Sequence, residues 1–215
     1  SDQPLFGSNR EVLVANGELY NYQKIRSQHP SFSWTTKGDS EVILALLDAS
    51  KSKHSGVLSA RQHAQWIAQL DGMYAFAVWD SETRHLLLAR DPLGIKPLVR
   101  TCVGGSLLFA SESKALRAHE GHVPALDEQA LVARLAWEYS LDGTTLLKDV
   151  SQVRPGTVEV WALDFEGKAK LLDRAIIEQQ KVNPSDSWSP ERDAEFLLET
   201  FVKGVSERLM SDVPV

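Results

Sequence analysis

Apolar residues recur along this chain with two different periods, and the switches between them mark out its elements. Residues 11–15 (Glu-Val-Leu-Val-Ala) read as a short buried strand, and Asn16-Gly17 follows. Residues 20–27 suit a short helix and 31–36 an extended segment. From 39 to 50 the spacing turns helical: Val42, Ile43, Leu46 and Leu47 share one face, and Asp39 or Ser40 is placed to cap it. A second helix is expected over 59–70, with Ser59 as its N-cap. The period then shortens. Residues 72–80 form a nearly unbroken apolar run, the pattern of a strand buried on both faces. A turn at 81–84 and a returning strand at 85–90 complete a hairpin. Residues 91–96 are a loop punctuated by Pro and Gly. Residues 98–103 and 107–110 form a hairpin around Gly104-Gly105. A helix over 127–139 carries Leu131, Val132, Leu135 and Ala136 on one side. Residues 157–163 and 169–173 pair through 164–168. Residues 182–189 have linker composition. Ser189-Pro190 then opens a helix with Ser as N-cap and Pro in the first turn, its apolar positions being Phe196, Leu197, Phe201, Val205 and Leu209. Antiparallel hairpins dominate, so the pattern predicts an α+β layered domain followed by the start of a second.

Composition narrows the functional classes. The 215 residues are 43% hydrophobic and 24% charged, ordinary for a soluble globular chain. Twenty-nine acidic against 23 basic side chains give a net charge of −6, which argues against a generic nucleic-acid partner. The longest apolar run, 73–79, is too short to span a bilayer, and no basic-then-apolar leader pattern is present, so no membrane partner is expected. One cysteine, Cys102, excludes an intrachain disulfide and points to a reducing compartment. The chain opens on Ser1 and stops inside a patterned segment, as expected of a piece of something longer.

Few residues announce chemistry by themselves. There is no Walker loop, no G-x-G-x-x-G, no G-x-S-x-G and no H-E-x-x-H. His119 and His122 are three apart but lack further ligands nearby, so a solvated loop is preferred to zinc. Cys102 reads as a small hydrophobe buried in a strand. Asn16-Gly17 has two readings: a tight turn, which spacing alone favours, or an oxyanion hole, in which an Asn amide and a Gly backbone N–H donate to a developing negative charge. Asp39 is either a helix cap or a carboxylate that pairs with a ligand's ammonium. Arg90-Asp91 reads as an ion pair closing a strand end.

Together these stretches resemble one family. Asn16-Gly17-Glu18-Leu19-Tyr20-Asn21 is similar to a block of class II glutamine amidotransferases. So are Gly38-Asp39-Ser40-Glu41-Val42-Ile43, Leu70-Asp71-Gly72-Met73-Tyr74-Ala75-Phe76, Arg90-Asp91-Pro92-Leu93-Gly94 with Pro97-Leu98, and Phe109-Ala110-Ser111-Glu112-Ser113-Lys114-Ala115-Leu116, in matching order and spacing. Residues 145–150 with Arg154-Pro155-Gly156, and residues 206–215, resemble glutamine-hydrolysing asparagine synthetases in particular. The resemblance is weakest across 117–140 and 164–190.

That resemblance implies a four-layer αββα N-terminal-nucleophile hydrolase fold with two antiparallel sheets, followed by the first helix of an α/β synthetase domain. It implies a glutaminase domain over 1–175, a linker over 176–189, and the start of an ATP-pyrophosphatase domain over 190–215. An N-terminal cysteine would attack glutamine with its own α-amino group as base. Asn16 and Gly17 would form the oxyanion hole, Asp39 would hold the substrate α-ammonium, and Glu18 would lie beside the bound glutamine. Ammonia would pass to a second site where ATP, with Mg2+, activates aspartate and asparagine forms. No cofactor and no metal are expected in this chain itself. The partners implied are glutamine, aspartate and ATP, with a homodimer and a cytoplasmic location. Ser1-Asp2-Gln3-Pro4-Leu5 is similar to a stretch inside the family domain. The nucleophile, the upstream R-H-R-G-P-D segment and the S-G-G-x-D-S nucleotide loop are therefore expected outside this chain, which alone should be inactive. The competing readings are an adenylating relative of the β-lactam synthetase kind, whose N-terminal domain is not catalytic, and a stand-alone binding protein.

Overall fold

The computed structural model describes residues 2–140, 143–178 and 189–209. Ser1, the central linker at 182–188, and 210–215 of the C-terminal motif lie outside the described residues. The chain divides into two units, Ser1–Glu178 and Gln179–Val215.

The first unit is built on a six-stranded antiparallel sheet of β1 (Leu5–Phe6), β2 (Glu11–Leu19), β3 (Gly72–Asp80), β4 (His85–Arg90), β8 (Thr157–Leu163) and β9 (Ala169–Ile176), in the order β1-β2-β3-β4-β8-β9. A second antiparallel sheet has β5 (Val99–Val103) between β6 (Ser106–Ala110) and β7 (Ser151–Gln152). Helices α1 (Tyr22–Gln28), α2 (Val42–Lys53) and α3 (Ala60–Ile67) cover one face of the large sheet. There Leu13, Tyr74, Phe76, Val78, Leu87 and Val160 pack against Ile25, Ile43, Leu47, Trp66 and Ile67. The opposite face presents Ala75, Ala77, Leu88 and Trp161 to Leu98, Leu107, Phe109 and Val153 of the small sheet and its borders. The outer side of the small sheet is closed by a 3-10 turn, Ser113–Ala118, through Leu116 with Val99 and Val150. Helix, sheet, sheet and a thin outer layer follow in that order, which is the expected α+β layering. Because β3 lies between two packed faces, Tyr74–Val78 is a continuous buried run with no alternation.

Several local expectations need correction. Asn16-Gly17 is not a turn: β2 runs on to Leu19, with Asn16 opposite Ala75 and Gly17 opposite Tyr74. Helix α2 begins at Val42, not Asp39, and neither Asp39 nor Ser40 caps it through a side chain. It is buried on all sides over Val42–Leu47, so four apolar positions understated its burial. Residues 31–36 form no strand. They are held by Glu41, whose carboxylate accepts from Thr35 N and Oγ1 and from Thr36 N and Oγ1. Burial pushes that carboxyl pKa up, but these four donors outweigh it and the net shift is downward. Cys102 is exposed, although it shares the face of Leu107 opposite it, while the neighbouring Thr101 is buried on the outer side of the small sheet with Val99. In α4 (Glu128–Trp137), Val132 and Leu135 are exposed and only Ala130 is buried. The helix over 60–67 follows expectation: Ser59 and Gln62 form a reciprocal capping box.

In the second unit, α5 (Pro190–Arg208) starts from extended Ser189, whose N–H donates to the Asp193 carboxylate at 3.0 Å. Glu191 and Asp193 in the first turn and Arg208 in the last complement the helix dipole. Among the described residues, no helix is long and apolar enough to cross a membrane, and no group of three His, Cys, Asp or Glu is placed to hold a metal ion.

Candidate functional site

Hydrogen-bond parity along β2 makes the Asn-Gly dipeptide more than a piece of strand. In an antiparallel pair, successive residues turn their backbone groups to opposite edges. Tyr20 N donates to Asp71 O at 2.7 Å, in register with the β2–β3 ladder, so the even-numbered residues of β2 bond to β3. The odd-numbered ones face the other edge. There Glu11 O accepts from Gly7 N and Leu13 opposes Leu5 of β1. Beyond the two-residue β1, side chains take over. Ala15 N donates to Gln3 Oε1 (2.7 Å) and Ala15 O accepts from Gln3 Nε2 (2.8 Å). Leu19 N donates to Asp39 Oδ2 at 2.7 Å. Between them lies Gly17, exposed, and no described residue takes its N–H.

Glycine is demanded at that position by packing. A Cβ on Gly17 would stand 2.4 Å from Met73 O and 2.8 Å from Tyr74 Cα, both backbone atoms that cannot swing away. The Arg90-Asp91 loop braces the same spot. Asp91 N donates to Tyr74 O at 2.8 Å, and the Asp91 carboxylate accepts from the backbone of Leu93, Ile95 and Lys96. Arg90 donates to the carbonyls of Gly94, Lys96 and Val153. The expected ion pair is thus replaced by two buried side chains that each organise the loop's backbone. The loop closes on Gly94 at φ +66°, where a Cβ would meet Pro155 at 2.7 Å.

Asn16 points to the small-sheet side, where its Nδ2 donates to Ser111 Oγ at 3.1 Å, one residue past β6. One amide hydrogen is thereby held and the other remains available. The two residues meet in a cleft of about 230 Å3, lined by Gln3, Ala15, Asn16, Ala75, Phe109 and Ser111 among others. Glu18 follows two residues along the same face of β2. Asp39 is half-buried: Oδ1 accepts from Ser40 N (2.8 Å) and Oγ (3.3 Å) while Oδ2 anchors Leu19. All four predicted site residues therefore converge on one end of β2. Gln3 and Ser111 join them; both stand in the motif blocks, but no local spacing rule marked them as neighbours of Asn16.

A larger cavity of about 520 Å3 opens on the helical side at the other end of the strands, lined by Lys51, His63, Asp80 and His85 among others. Lys51 bridges Glu11 and Asp80 at 2.6 Å each. His63 accepts the Trp66 indole N–H at its Nδ1 (3.1 Å), and burial, helped by Lys51, pushes its pKa down to about 4. None of the predicted site residues lines this cavity.

Residues 1–170 match the family model of the glutamine amidotransferase domain. The chain belongs to that family. It is 28% identical over 205 residues to asparagine synthetase [glutamine-hydrolyzing] 1 of Bacillus subtilis, covering 94% of this chain and 29% of the relative. It is 30% identical over 214 residues to a putative asparagine synthetase of Mycobacterium tuberculosis, covering 96% of this chain and 30% of the relative. The amidotransferase chain therefore spans about a third of the length of these curated relatives. Glutamine phosphoribosylpyrophosphate amidotransferase from B. subtilis shares the fold, with a TM-score of 0.52 at 24% identity over 85% of this chain and 33% of that one. An allosteric regulatory enzyme of purine biosynthesis does so with a TM-score of 0.54 at 22% identity over 85% and 32%.

Proposed function

We propose that this amidotransferase domain is the glutamine-hydrolysing part of an ATP-dependent asparagine synthetase. The observation that supports the reading is the open Gly17 N–H, set beside the Asn16 amide and between two tied backbone positions. A nucleophile attacking the side-chain amide carbon of glutamine drives negative charge onto its oxygen. Gly17 N–H and the free Asn16 Nδ2–H are the two donors for that oxygen. Fixed donors of this kind need no reorganisation as charge develops, and one is worth about 10²–10³ in rate. Asp39 takes the α-ammonium as a half-buried carboxylate, and Glu18 flanks the substrate.

The nucleophile the family resemblance implies is an N-terminal cysteine, whose α-amino group takes the thiol proton and passes it to departing ammonia. Water then cleaves the thioester to glutamate. Cys102 is not that group: it opposes Leu107 near the turn of the β5–β6 hairpin, whereas Ser111 and Asn16 lie at the other end. On the same proposal the linker expected over 176–189 leaves the first unit only after β9 and the buried Ile177, and 190–215 are the start of the synthetase domain. ATP, Mg2+ and aspartate are used there, and a homodimer in the cytoplasm is the expected setting. The test is glutamate release from glutamine, measured for the 215-residue chain and for the longer protein containing it. Release by the longer protein alone, with asparagine formed from aspartate, is expected. Release by the 215-residue chain, or by neither, would overturn the reading; an amide product other than asparagine would favour the β-lactam-type relative.

A further inference from the structure

We propose that Gln3 is a positioning residue for glutamine hydrolysis: its side-chain amide substitutes for a strand partner at Ala15 and thereby sets the direction of the Gly17 N–H. This rests on the reading of Asn16-Gly17 as an oxyanion hole.

The register of β1 against β2 pairs Leu5 with Leu13 and Phe6 with Val12. Extended by two residues, it places Gln3 opposite Ala15. The groups that meet Ala15 there are the carboxamide of Gln3, which accepts from Ala15 N at 2.7 Å and donates to Ala15 O at 2.8 Å. A carboxamide has the shape and polarity of a peptide group, so this pair of bonds reproduces one rung of a ladder. Two bonds fix both the position and the twist of the Ala15 backbone, where one would leave a hinge.

That restraint matters because the strand downstream is poorly held on this edge. Asn16 bonds toward β3, and Gly17 offers its N–H to the open side. Gly17 also lacks the Cβ that narrows backbone freedom in other residues. The nearest restraints along the edge are Gln3 at Ala15 and Asp39 at Leu19. Asp39 is assigned to the substrate ammonium, so Gln3 is the restraint free of that duty. Its effect falls on the direction of the N–H, which matters when the oxyanion forms and little when glutamine binds.

The experiment compares Gln3→Met and Gln3→Glu with the wild type in the full-length enzyme. Met has similar length and makes neither bond. Glu accepts from Ala15 N but sets a carboxylate against the Ala15 carbonyl until it is protonated, when its O–H restores the donor. For Gln3→Met, kcat for glutamate release is expected to fall about 10- to 100-fold, short of the loss from deleting an oxyanion donor. KM for glutamine should stay within about twofold, since ground-state binding is untouched. For Gln3→Glu, kcat relative to wild type should recover as pH falls toward about 4.3, the ordinary glutamate value. In the 215-residue chain, amide exchange at Ala15 should speed up about tenfold in Gln3→Met as its partner is lost.

A raised KM with unchanged kcat would overturn the proposal by making Gln3 a substrate contact. A lowered melting temperature that tracks the loss of kcat, without recovery of Gln3→Glu at low pH, would reduce Gln3 to a structural role. Unchanged kcat in both variants would refute the positioning role and leave the oxyanion reading standing. A wild-type enzyme that does not hydrolyse glutamine would remove both.

Discussion

Replacing Glu159 with Gln removes the charge from a carboxylate that is 1% exposed and bolts the two sheets together. Arg100, on β5 of the small sheet, donates to it through Nε at 2.6 Å and Nη2 at 3.0 Å. Arg174, on β9, donates at 2.8 Å and Trp161 Nε1 at 3.0 Å. Arg100 is 16% exposed and Arg174 41%, so the two arginines respond differently to losing their partner. Arg174 regains water. Arg100, lying over the Trp161 ring, keeps an uncompensated charge between the sheets. Breaking a buried pair from one side costs about 3–5 kcal/mol, and at about 2–4 °C per kcal/mol for a domain of this size the melting temperature drops by roughly 6–20 °C. Arg174→Ala should cost under about 1 kcal/mol, the range of exposed pairs. Arg100→Met with Glu159→Leu should be less destabilised than Glu159→Leu alone, because no charge is then left buried. Urea unfolding followed by tryptophan fluorescence measures all four. A Glu159→Gln variant within 1 kcal/mol of wild type, or an Arg174→Ala variant as damaging as Glu159→Gln, would refute the inter-sheet bolt.

Other expectations follow from the site and the helical layer. Gly17→Ala forces a methyl against Met73 O and Tyr74 Cα; a cost of about 1–3 kcal/mol in stability is expected from the overpacking. On the proposed function, glutamate release by the longer protein should fall by about 10² or more as the open N–H moves. Thermal melts and a glutamate assay check the pair, and an active Gly17→Ala enzyme would contradict the close approach. His63 is neutral in the folded chain down to about pH 4, whereas in the unfolded chain it titrates near its ordinary 6.5. The unfolded state therefore binds the extra proton in that window, and stability present above pH 6.5 is lost as pH falls toward 4. The loss approaches about 3 kcal/mol. His63→Phe should flatten that slope between pH 4 and 7 in urea titrations, and an unchanged slope would assign it to other groups.

Much of the secondary structure was legible because local rules dominate where they are unopposed. The limits of β3, β4 and β8 follow from an apolar run and its turns, and the capping box at Ser59 needs only residues three apart. Local preference yields where a distant element outweighs it. Asn16-Gly17 carries the strongest short turn signal, yet β3 pairs straight across it. Asp39 suits a cap, yet its carboxylate serves Leu19, twenty positions away. An apolar strand suggests a buried Cys102, but near the hairpin turn the small sheet leaves it exposed, while Thr101 is covered on the outer side.

The sequence by itself determined the hairpins, most helices, the layered α+β class and, through its motif blocks, the amidotransferase family; for the site it supplied four candidate residues. Only the tertiary structure decided what those residues do to one another. Hydrogen-bond parity is a property of two strands in register, so the Gly17 N–H becomes an open donor only once β3 has taken the even-numbered positions. Gln3, Asp39 and Ser111 lie 12, 20 and 95 positions from the residues they hold. No local spacing rule reaches that far; packing of the two sheets and the helical layer brings them together.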